Sequence, residues 1–254
     1  MVILKSAREI ELMRKAGAVA AAALELAGGM VAPGVTTQSI DTAVRKFITG
    51  RGAVPSFLHY NGYPASCCIS VGSQVIHGIP SAHTVLKEGD IVSIDVGACL
   101  NGYHGDCADT FACGAVSPAA QRLIDVTRAS FFAGLAFAKE GFRLGDLGHA
   151  VQEYAERHGY GVVYEYTGHG VGKALHEDPS VPNLGTPGHG LRLRRGMTIA
   201  VEPMINEGTA DIRMLDDGWT IVTSDQKLSA HYENTILITG GEPEILTPHG
   251  GDRA

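Results

Sequence analysis

The sequence predicts an α/β protein built from two related halves, each with a pair of helices followed by strands. Apolar residues recur first at helical and then at strand spacing, and this order then repeats. A shift of 107 positions superposes the second helical segment on the fourth, and Asp95 on Glu202. Such self-similarity indicates an internal repeat. We therefore expect one domain over residues 1–254, with pseudo-symmetric halves at about 1–115 and 116–254.

The helices of the first half have recognisable start and stop signals. Ser6 and Glu9 form a capping-box pattern, and apolar residues then follow at helical spacing. Either Thr37 or Ser39 can begin the second helix, which is predicted to end at Gly50.

The other elements are predicted from periodicity and turn residues. Helices of the second half are expected over 118–139 and 145–158. The predicted strands are Ser66–Val71, Gln74–Ile76, Ile91–Ala98, Thr110–Cys113, Gly161–Tyr166, Met197–Val201, Trp219–Val222 and Glu233–Thr239.

Composition excludes several classes of partner. The net charge is −7 and the basic residues are scattered, which argues against a nucleic-acid surface. The apolar run Val19–Leu24 is too short to span a bilayer, and residues 1–13 lack the pattern of a signal peptide. The five cysteines include no CxxC motif, which favours a reducing compartment. We expect a cytoplasmic protein, monomeric by default, with no membrane or nucleic-acid partner.

Two acids mark the first candidate site. Asp95 lies in the apolar run Ile91–Val96, where burial of a carboxylate is costly without a positive partner. The turn residues Asn101-Gly102 can form a hairpin that returns Asp106 beside Asp95. These residues alone are equally consistent with two unrelated acids at a strand end.

The second half supplies further ligands. His169, Glu202 and Glu233 complete a set of four carboxylates and one imidazole. This oxygen-rich set suits Mn, Fe, Co or Zn, and two divalent ions balance four carboxylates where one does not. His77 and His176 recur in two similar HxxP segments and are placed near the same cleft.

Other sites are disfavoured by spacing. The segment Gly168–Gly172 does not match a nucleotide-binding loop, and His176-Glu177 does not match HExxH. The remaining eight histidines are interpreted as surface or supporting residues. His104 and His231 each precede a candidate ligand by two positions, and His231 can orient Glu233.

At these residues the chain resembles type I methionine aminopeptidase over nearly its whole length. The motifs are His77-Gly-Ile-Pro80, Asp95-Val with His104-Gly-Asp106, Gly168-His-Gly-Val-Gly172, Glu202-Pro-Met204 and Tyr232-Glu-x-Thr235. The resemblance implies the pita-bread fold, a pseudo-twofold repeat of helix pairs packed on a curved antiparallel sheet. Glu233 follows Glu202 by only 31 positions, which leaves no room for the insertion of the type II branch.

The resemblance also implies an activity and a ligand scheme. The expected enzyme removes the initiator methionine from nascent proteins with a small second residue, using a hydroxide that bridges two divalent ions (Co, Mn, Fe or Zn). Asp106 and Glu233 are expected to bridge the ions, Asp95 to bind one, and His169 with Glu202 to bind the other. Glu202 is also the expected general base.

The remaining implied residues contact substrate. His77 is expected at the scissile amide nitrogen or the free amine, and His176 at the scissile carbonyl. The implied methionine pocket comprises Tyr60, Tyr63, Cys68 and Trp219, with Phe57 and Leu175 at two positions that differ from many relatives. Phe57 replaces a small thiol and Leu175 replaces Phe, so the exchange can conserve pocket volume.

Two alternatives stay open at this stage. One is a prolidase or Xaa-Pro aminopeptidase of the same fold, although the contexts of the second-half ligands differ in that group. The other is a non-catalytic binding protein of the same fold, which is expected to have lost ligands, whereas all five are present here. Nascent chain N-termini are the expected partners, and the identity of the metal and docking on the ribosome are left open.

Overall fold

The structure is a computed structural model that describes residues 1–250. Its α-helices are α1 (Ala7–Gly29), α2 (Thr37–Gly50), α3 (Pro118–Leu135) and α4 (Leu144–Arg157). These confirm the four predicted helices. The third helix ends earlier than predicted because the chain turns toward α4, with Gly141 at a φ of 96°.

The start signal of α1 acts as the sequence predicts, whereas the cap of α2 is a residue that the sequence analysis did not name. The Ser6 amide donates to Glu9 Oε2 at 2.9 Å, and the Glu9 amide donates to Ser6 Oγ at 3.4 Å, which completes the capping box of α1. Helix α2 begins at Thr37, and the preceding Thr36 is its cap, accepting from the Ser39 amide at 3.2 Å.

Fifteen strands are present within residues 1–250. They are β1 (Val54–Pro55), β2 (Cys68–Val71), β3 (Gln74–Ile76), β4 (Ile91–Leu100), β5 (Tyr103–Ala112), β6 (Gly161–Val162), β7 (Gly168–Gly170), β8 (Glu177–Val181), β9 (Thr198–Val201), β10 (Met204–Asn206), β11 (Ile212–Met214), β12 (Ile221–Thr223), β13 (Ser229–His231), β14 (Glu233–Leu237) and β15 (Glu244–Ile245).

A nine-stranded sheet organises these strands. Its main order is β1-β4-β5-β14-β9-β7-β8, with β2 also beside β4 and β15 beside β14, and the assigned pairs are antiparallel. Two three-stranded sheets, β13-β10-β6 and β11-β12-β3, complete the arrangement. The prediction of helix pairs on an antiparallel sheet is confirmed.

The long hairpin of β4 and β5 confirms the predicted turn. Asn101 and Gly102 both have positive φ, 53° and 78°, as a tight two-residue hairpin requires. Strand β5 begins at Tyr103, whereas the sequence predicted a strand only from Thr110. Gly105 and the polar residues after it interrupt the apolar pattern, so the buried part of this strand is hidden in the sequence.

Each helix pair covers one half of the large sheet. Residues of α1 and α2 share a buried apolar cluster with β4, including Leu24, Ile40 and Ile94. Residues of α3 and α4 share another with β9 and β14, including Phe131 and Ile236. Because β14 pairs with both β5 and β9, it joins the strands of the first half to those of the second.

No helix within residues 1–250 is long and apolar enough to cross a membrane.

Helix α1 approaches β5 through two glycines. A Cβ built on Gly105 lies 2.5 Å from Gly17 Cα and 2.6 Å from Gly17 N. Contacts that short require the helix or the strand to move. Gly105 directly precedes Asp106, so this helix contact also fixes the position of the strand that carries a candidate ligand.

We predict that Gly105→Ala lowers the free energy of unfolding of the metal-free protein by about 1–3 kcal/mol, as overpacking typically does. Gly50→Ala is the matched control, because Gly50 ends α2 and has open space around its Cβ. Urea unfolding measures both. Equal stabilities of the two variants would contradict the close approach of α1 to β5.

Candidate metal centre

Five adjacent strands bring the five predicted ligands together. In sheet order, Asp95 lies on β4, Asp106 on β5, Glu233 on β14, Glu202 directly after β9, and His169 on β7. Neighbouring strands in a sheet lie about 5 Å apart, so one side chain from each can reach a common point. The order of the strands thus brings candidate ligands that are distant in sequence close together in space.

The strand register leaves space beside the acids. Ala108 pairs with Asp95 on one side and with Glu233 on the other. Gly97 pairs with Asp106. Paired residues point to the same face of a sheet, so small residues surround the carboxylates where larger ones would fill the site.

The ligand atoms are close but make few hydrogen bonds. His169 Nε2 lies 3.5 Å from Glu202 Oε1 and 3.8 Å from Asp106 Oδ2, which are contact distances rather than hydrogen bonds. The backbone carbonyl of Gly170 lies 2.9 Å from His169 Nδ1 and accepts from it when that nitrogen carries the proton. This bond orients the ring with Nε2 toward the acids, a common arrangement for a metal-binding histidine.

Several atoms of the group are buried without a hydrogen-bond partner. They are Asp95 Oδ1, Asp106 Oδ1, Glu233 Oε1 and His231 Nε2. Buried polar atoms are rarely left unpaired, and carboxylate and imidazole atoms that face one another suit divalent cations. Two groups with donor atoms within 4.8 Å of one another are Asp95–His231–Glu233 and Asp106–His169–Glu233. The residues present therefore fit divalent metal ions.

The electrostatics of the carboxylates agree with this fit. Burial raises the pKa of Asp106 to about 7. Burial, together with the charge of Asp106, also raises the pKa values of Asp95, Glu202 and Glu233 above their ordinary range. The charge of Asp106 makes the ionisation of the other three acids harder, and cations relieve this repulsion.

The imidazoles near the acids are neutral. Burial lowers the pKa of His169 to about 3 and that of His77 to about 4, and in both cases His176 adds to the effect. Burial and the nearby His104 lower the pKa of His176 as well. Neutral imidazole is the form that binds metals, so these rings are available as ligands or donors at neutral pH.

His77 and His176 lie beside the ligand group. The rings of His169 and His176 have centroids 4.0 Å apart, and His176 Nδ1 lies 2.9 Å from the Tyr60 hydroxyl. His77 packs edge-on against Trp219 and has a φ of 59°, a conformation that is costly for a residue with a side chain. Such backbone strain is often found at functional sites.

The candidate ligands line a cleft with a volume of about 370 Å³. All thirteen residues predicted from the sequence line it: Phe57, Tyr60, Tyr63, Cys68, His77, Asp95, Asp106, His169, Leu175, His176, Glu202, Trp219 and Glu233. One end of the cleft is polar and holds the acids. Phe57, Tyr63, Cys68, Leu175 and Trp219 form an apolar part of the lining, so the cleft suits a ligand that places an apolar group beside the acids.

The two unusual pocket residues share one apolar cluster. Phe57 and Leu175 are buried together with Tyr63 and Cys68, and Trp219 packs against them. A Cβ on Gly97 would lie 2.8 Å from the Phe57 ring, so the glycine on β4 admits this large side chain. Their common cluster agrees with the predicted exchange of a large and a small residue.

Some cleft residues were not singled out from the sequence. Glu165, Tyr166 and Thr167 line the cleft just before β7, and their position next to the Gly168-His169 motif was the available signal. His231 was assigned a supporting role, but its Nε2 lies 3.7 Å from Glu233 Oε2 and 3.9 Å from Glu202 Oε2. Its ring therefore lies directly beside the candidate ligands.

Known proteins match both the sequence and the fold. The sequence pattern of metallopeptidase family M24 matches residues 11–240. A methionine aminopeptidase of Clostridium perfringens is 52% identical over 247 residues, covering 97% of this chain and 99% of that protein. A crystal structure of methionine aminopeptidase from Thermotoga maritima superposes with a TM-score of 0.96 at 45% identity, covering 97% and 99% of the two chains.

A more distant relative shares the fold. A prolidase from Pyrococcus horikoshii superposes with a TM-score of 0.79 at 26% identity, covering 98% of this chain and 65% of that one. These similarities confirm the pita-bread fold and the metallo-exopeptidase class that the motifs predicted. The chain belongs to metallopeptidase family M24, among the methionine aminopeptidases.

Proposed function

We propose that this chain removes the initiator methionine from nascent proteins with a small second residue, using two divalent metal ions. The observation that carries the proposal is the convergence of four carboxylates and His169 at the polar end of a cleft whose other end is apolar. The high identity to proteins named methionine aminopeptidase supports the same substrate.

The ligand assignment follows the geometry of the two donor groups. Asp95 belongs to one group, His169 to the other, and Glu233 to both. Asp106 lies diagonally across the hairpin from Asp95 and 3.8 Å from His169. These contacts support an assignment in which Asp106 and Glu233 would help to hold both ions, and Glu202 with His169 would hold one of them.

Divalent ions held here supply Lewis acidity, which lowers the pKa of water and polarises a carbonyl. Glu202 then acts as the general base that takes a proton from the attacking water and returns it to the leaving amine nitrogen. Glu202 is largely buried at the edge of the ligand group, with Oε1 3.5 Å from His169 Nε2, so it lies where a base can reach water held among the acids.

His176 is assigned to the scissile carbonyl. When the Tyr60 hydroxyl donates to Nδ1, the proton of the neutral ring lies on Nε2. A fixed N–H donor stabilises the oxygen as negative charge develops on it. His77 is assigned to the substrate's amine or amide nitrogen, because it lines the cleft with the acids, where its ring packs edge-on against Tyr166 and Trp219.

The apolar end of the cleft is assigned to the methionine side chain. Tyr63, Cys68, Leu175 and Trp219 offer an aromatic and sulfur-containing lining, and thioethers make favourable contacts with aromatic rings. The side chain is long and unbranched, so it can extend past Phe57 where branched residues fit less well.

The setting of the activity follows from the substrate. Initiator methionine is presented on chains as they are made, so we assign the enzyme to the cytoplasm. The five cysteines are free, in keeping with a reducing compartment. We also propose that residues 1–254 act as one catalytic unit and as a monomer, since ligands from both halves share one sheet.

We predict that metal-stripped protein is inactive and regains cleavage of Met-Ala-Ser when Co²⁺ or Mn²⁺ is added. Glu202→Gln should lower kcat by about 10²–10⁴-fold, the usual contribution of general acid–base catalysis. Asp106→Asn should abolish metal-dependent activity. Glu156→Gln on the exposed face of α4 is the control and should act as wild type. Full activity in either site variant, or faster cleavage of Leu-Pro than of Met-Ala-Ser, would contradict the proposal.

We predict that the metal-free protein loses stability as the pH rises from 6.5 to 8. The folded acids hold protons that the unfolded chain releases above pH 4, so stability falls as pH rises through their raised folded pKa values, about 7 for Asp106. The buried histidines offset part of this loss near pH 6.5, because their folded rings are already neutral while unfolded imidazoles, with an ordinary pKa of about 6.5, are still partly protonated.

Divalent ions should reverse this loss. An ion at a hundred times its Kd stabilises by about 2.7 kcal/mol, which raises the Tm of a chain of this size by about 5–11 °C. The gain should be larger at pH 8 than at pH 6.5, since binding releases protons. Thermal unfolding measures it, with Asp106→Asn as the control that should respond weakly. A gain that shrinks with pH would contradict the ligand assignment.

We predict that Phe57 and Leu175 are coupled in their effect on kcat/KM for Met-Ala peptides. Phe57→Cys opens space and Leu175→Phe overfills it, so each alone should cost about tenfold. The double variant conserves volume and should recover most of the loss. Wild type should prefer Met-Ala to Leu-Ala. Additive losses would refute the exchange, and a preference for Leu-Ala would refute the methionine pocket.

A further inference from the structure

His231 has the surroundings of a ligand without an assigned ligand role. Its side chain is 2% exposed, and Nε2 has no hydrogen-bond partner. The nearest carboxylate atoms are Glu233 Oε2 at 3.7 Å and Glu202 Oε2 at 3.9 Å, both beyond hydrogen-bond range. A buried nitrogen that faces two carboxylates without bonding either needs a partner that the protein does not supply.

The geometry of His231 matches that of His169. His169 Nε2 lies 3.5 Å from Glu202 Oε1 and 3.8 Å from Asp106 Oδ2, so both imidazoles face two acids at similar distances. Donor atoms that share an ion lie up to about 4.2 Å apart, since each is about 2.1 Å from it. If these distances qualify His169 as a ligand, they qualify His231 too.

The backbone holds His231 in this orientation. The Thr110 hydroxyl donates to the His231 carbonyl at 2.9 Å and accepts from the His231 amide at 2.9 Å. His231 and Glu233 are two residues apart in an extended segment, so their side chains point to the same side. The chain thus presents both groups to the same point.

We propose that His231 is a further metal ligand, binding through Nε2 the ion that Asp95 and Glu233 hold. The inference rests on the two-ion function proposed above. It gives each of the two donor groups one imidazole, His231 in the group with Asp95 and His169 in the group with Asp106. The site then has six ligand residues.

The proposal has a consequence for metal selectivity. A ligand set of carboxylates alone suits Mn²⁺ and Mg²⁺, whereas imidazole favours Co²⁺, Ni²⁺ and Zn²⁺. The site formed by the Asp95 group should therefore bind Ni²⁺ and Zn²⁺ more tightly than a site made only of oxygen atoms does.

His104 provides a matched control in the same chain. It precedes Asp106 by two residues, as His231 precedes Glu233, so sequence spacing does not distinguish them. In the structure, however, His104 Nδ1 is hydrogen-bonded to Ser56 Oγ at 2.8 Å, and His104 belongs to neither donor group.

Proton NMR of the full chain loaded with two equivalents of Co²⁺ tests the proposal. Each histidine bound through Nε2 contributes one strongly shifted, solvent-exchangeable Nδ1–H signal. Wild type should show two such signals, His231→Gln one, and His104→Gln two. A single signal in wild type overturns the proposal without any variant. Two signals in His231→Gln, or loss of a signal only in His104→Gln, also overturns it.

Metal affinity gives a second readout that does not depend on activity. His231→Gln should weaken Ni²⁺ binding by at least the 10–100-fold typical of changes around a metal site, and Mn²⁺ binding by less. Equal losses for both ions would overturn the proposal, since an imidazole ligand acts mainly on Ni²⁺. If wild type binds no ion, the proposed function fails, whereas two bound ions with one imidazole signal overturn only this inference.

Discussion

Mutual repulsion among four buried carboxylates is the interaction on which the rest of this site depends. Burial raises the pKa values of all four, and the charge of Asp106 raises those of the other three further. Their ion-pair neighbours within the described residues are imidazoles rather than Lys or Arg. A Lys or Arg partner would satisfy the acids permanently and leave no function for a metal ion. Because the acids have no such partner, the metal-free protein is less stable and cations bind with a large free energy.

The sheet brings the four acids close together because it pairs strands that are distant in the sequence. Strand β14 lies between β5 and β9, so Glu233 meets Asp106 and Glu202 only when both halves have folded together. Neither half holds a complete donor group, since Glu233 belongs to both groups. Metal binding is therefore linked to the global fold rather than to one local loop.

The sequence predicted the parts of the fold that depend on local pattern. The capping box at Ser6, the hairpin at Asn101-Gly102 and the strand-borne acids all have signals within a few residues. The early start of β5 was missed because Gly105 and Asp106 interrupt its apolar pattern, and the reason for Gly105 is the distant residue Gly17. What could not be predicted depends on such tertiary contacts.

His104 and His231 show the same limit at the site itself. Both precede an acid by two residues, so strand alternation predicts that each points toward the site. Nδ1 of His104 is hydrogen-bonded to Ser56, whereas Nε2 of His231 has no hydrogen-bond partner. Only the tertiary structure separates a histidine that is hydrogen-bonded to the protein from one that is free to bind a ligand.

The register of the sheet also connects specificity to chemistry. Cys68 on β2, in the apolar pocket, pairs directly with Asp95 on β4, in the ligand group. Gly97, two residues further along β4, contacts the Phe57 side of the pocket and pairs with Asp106. Because one strand carries both contacts, a side chain seated in the pocket has a fixed distance to the acids. Under the proposed function, an unbranched residue that fills the pocket would bring its own amide to the acids, and a shorter one would not.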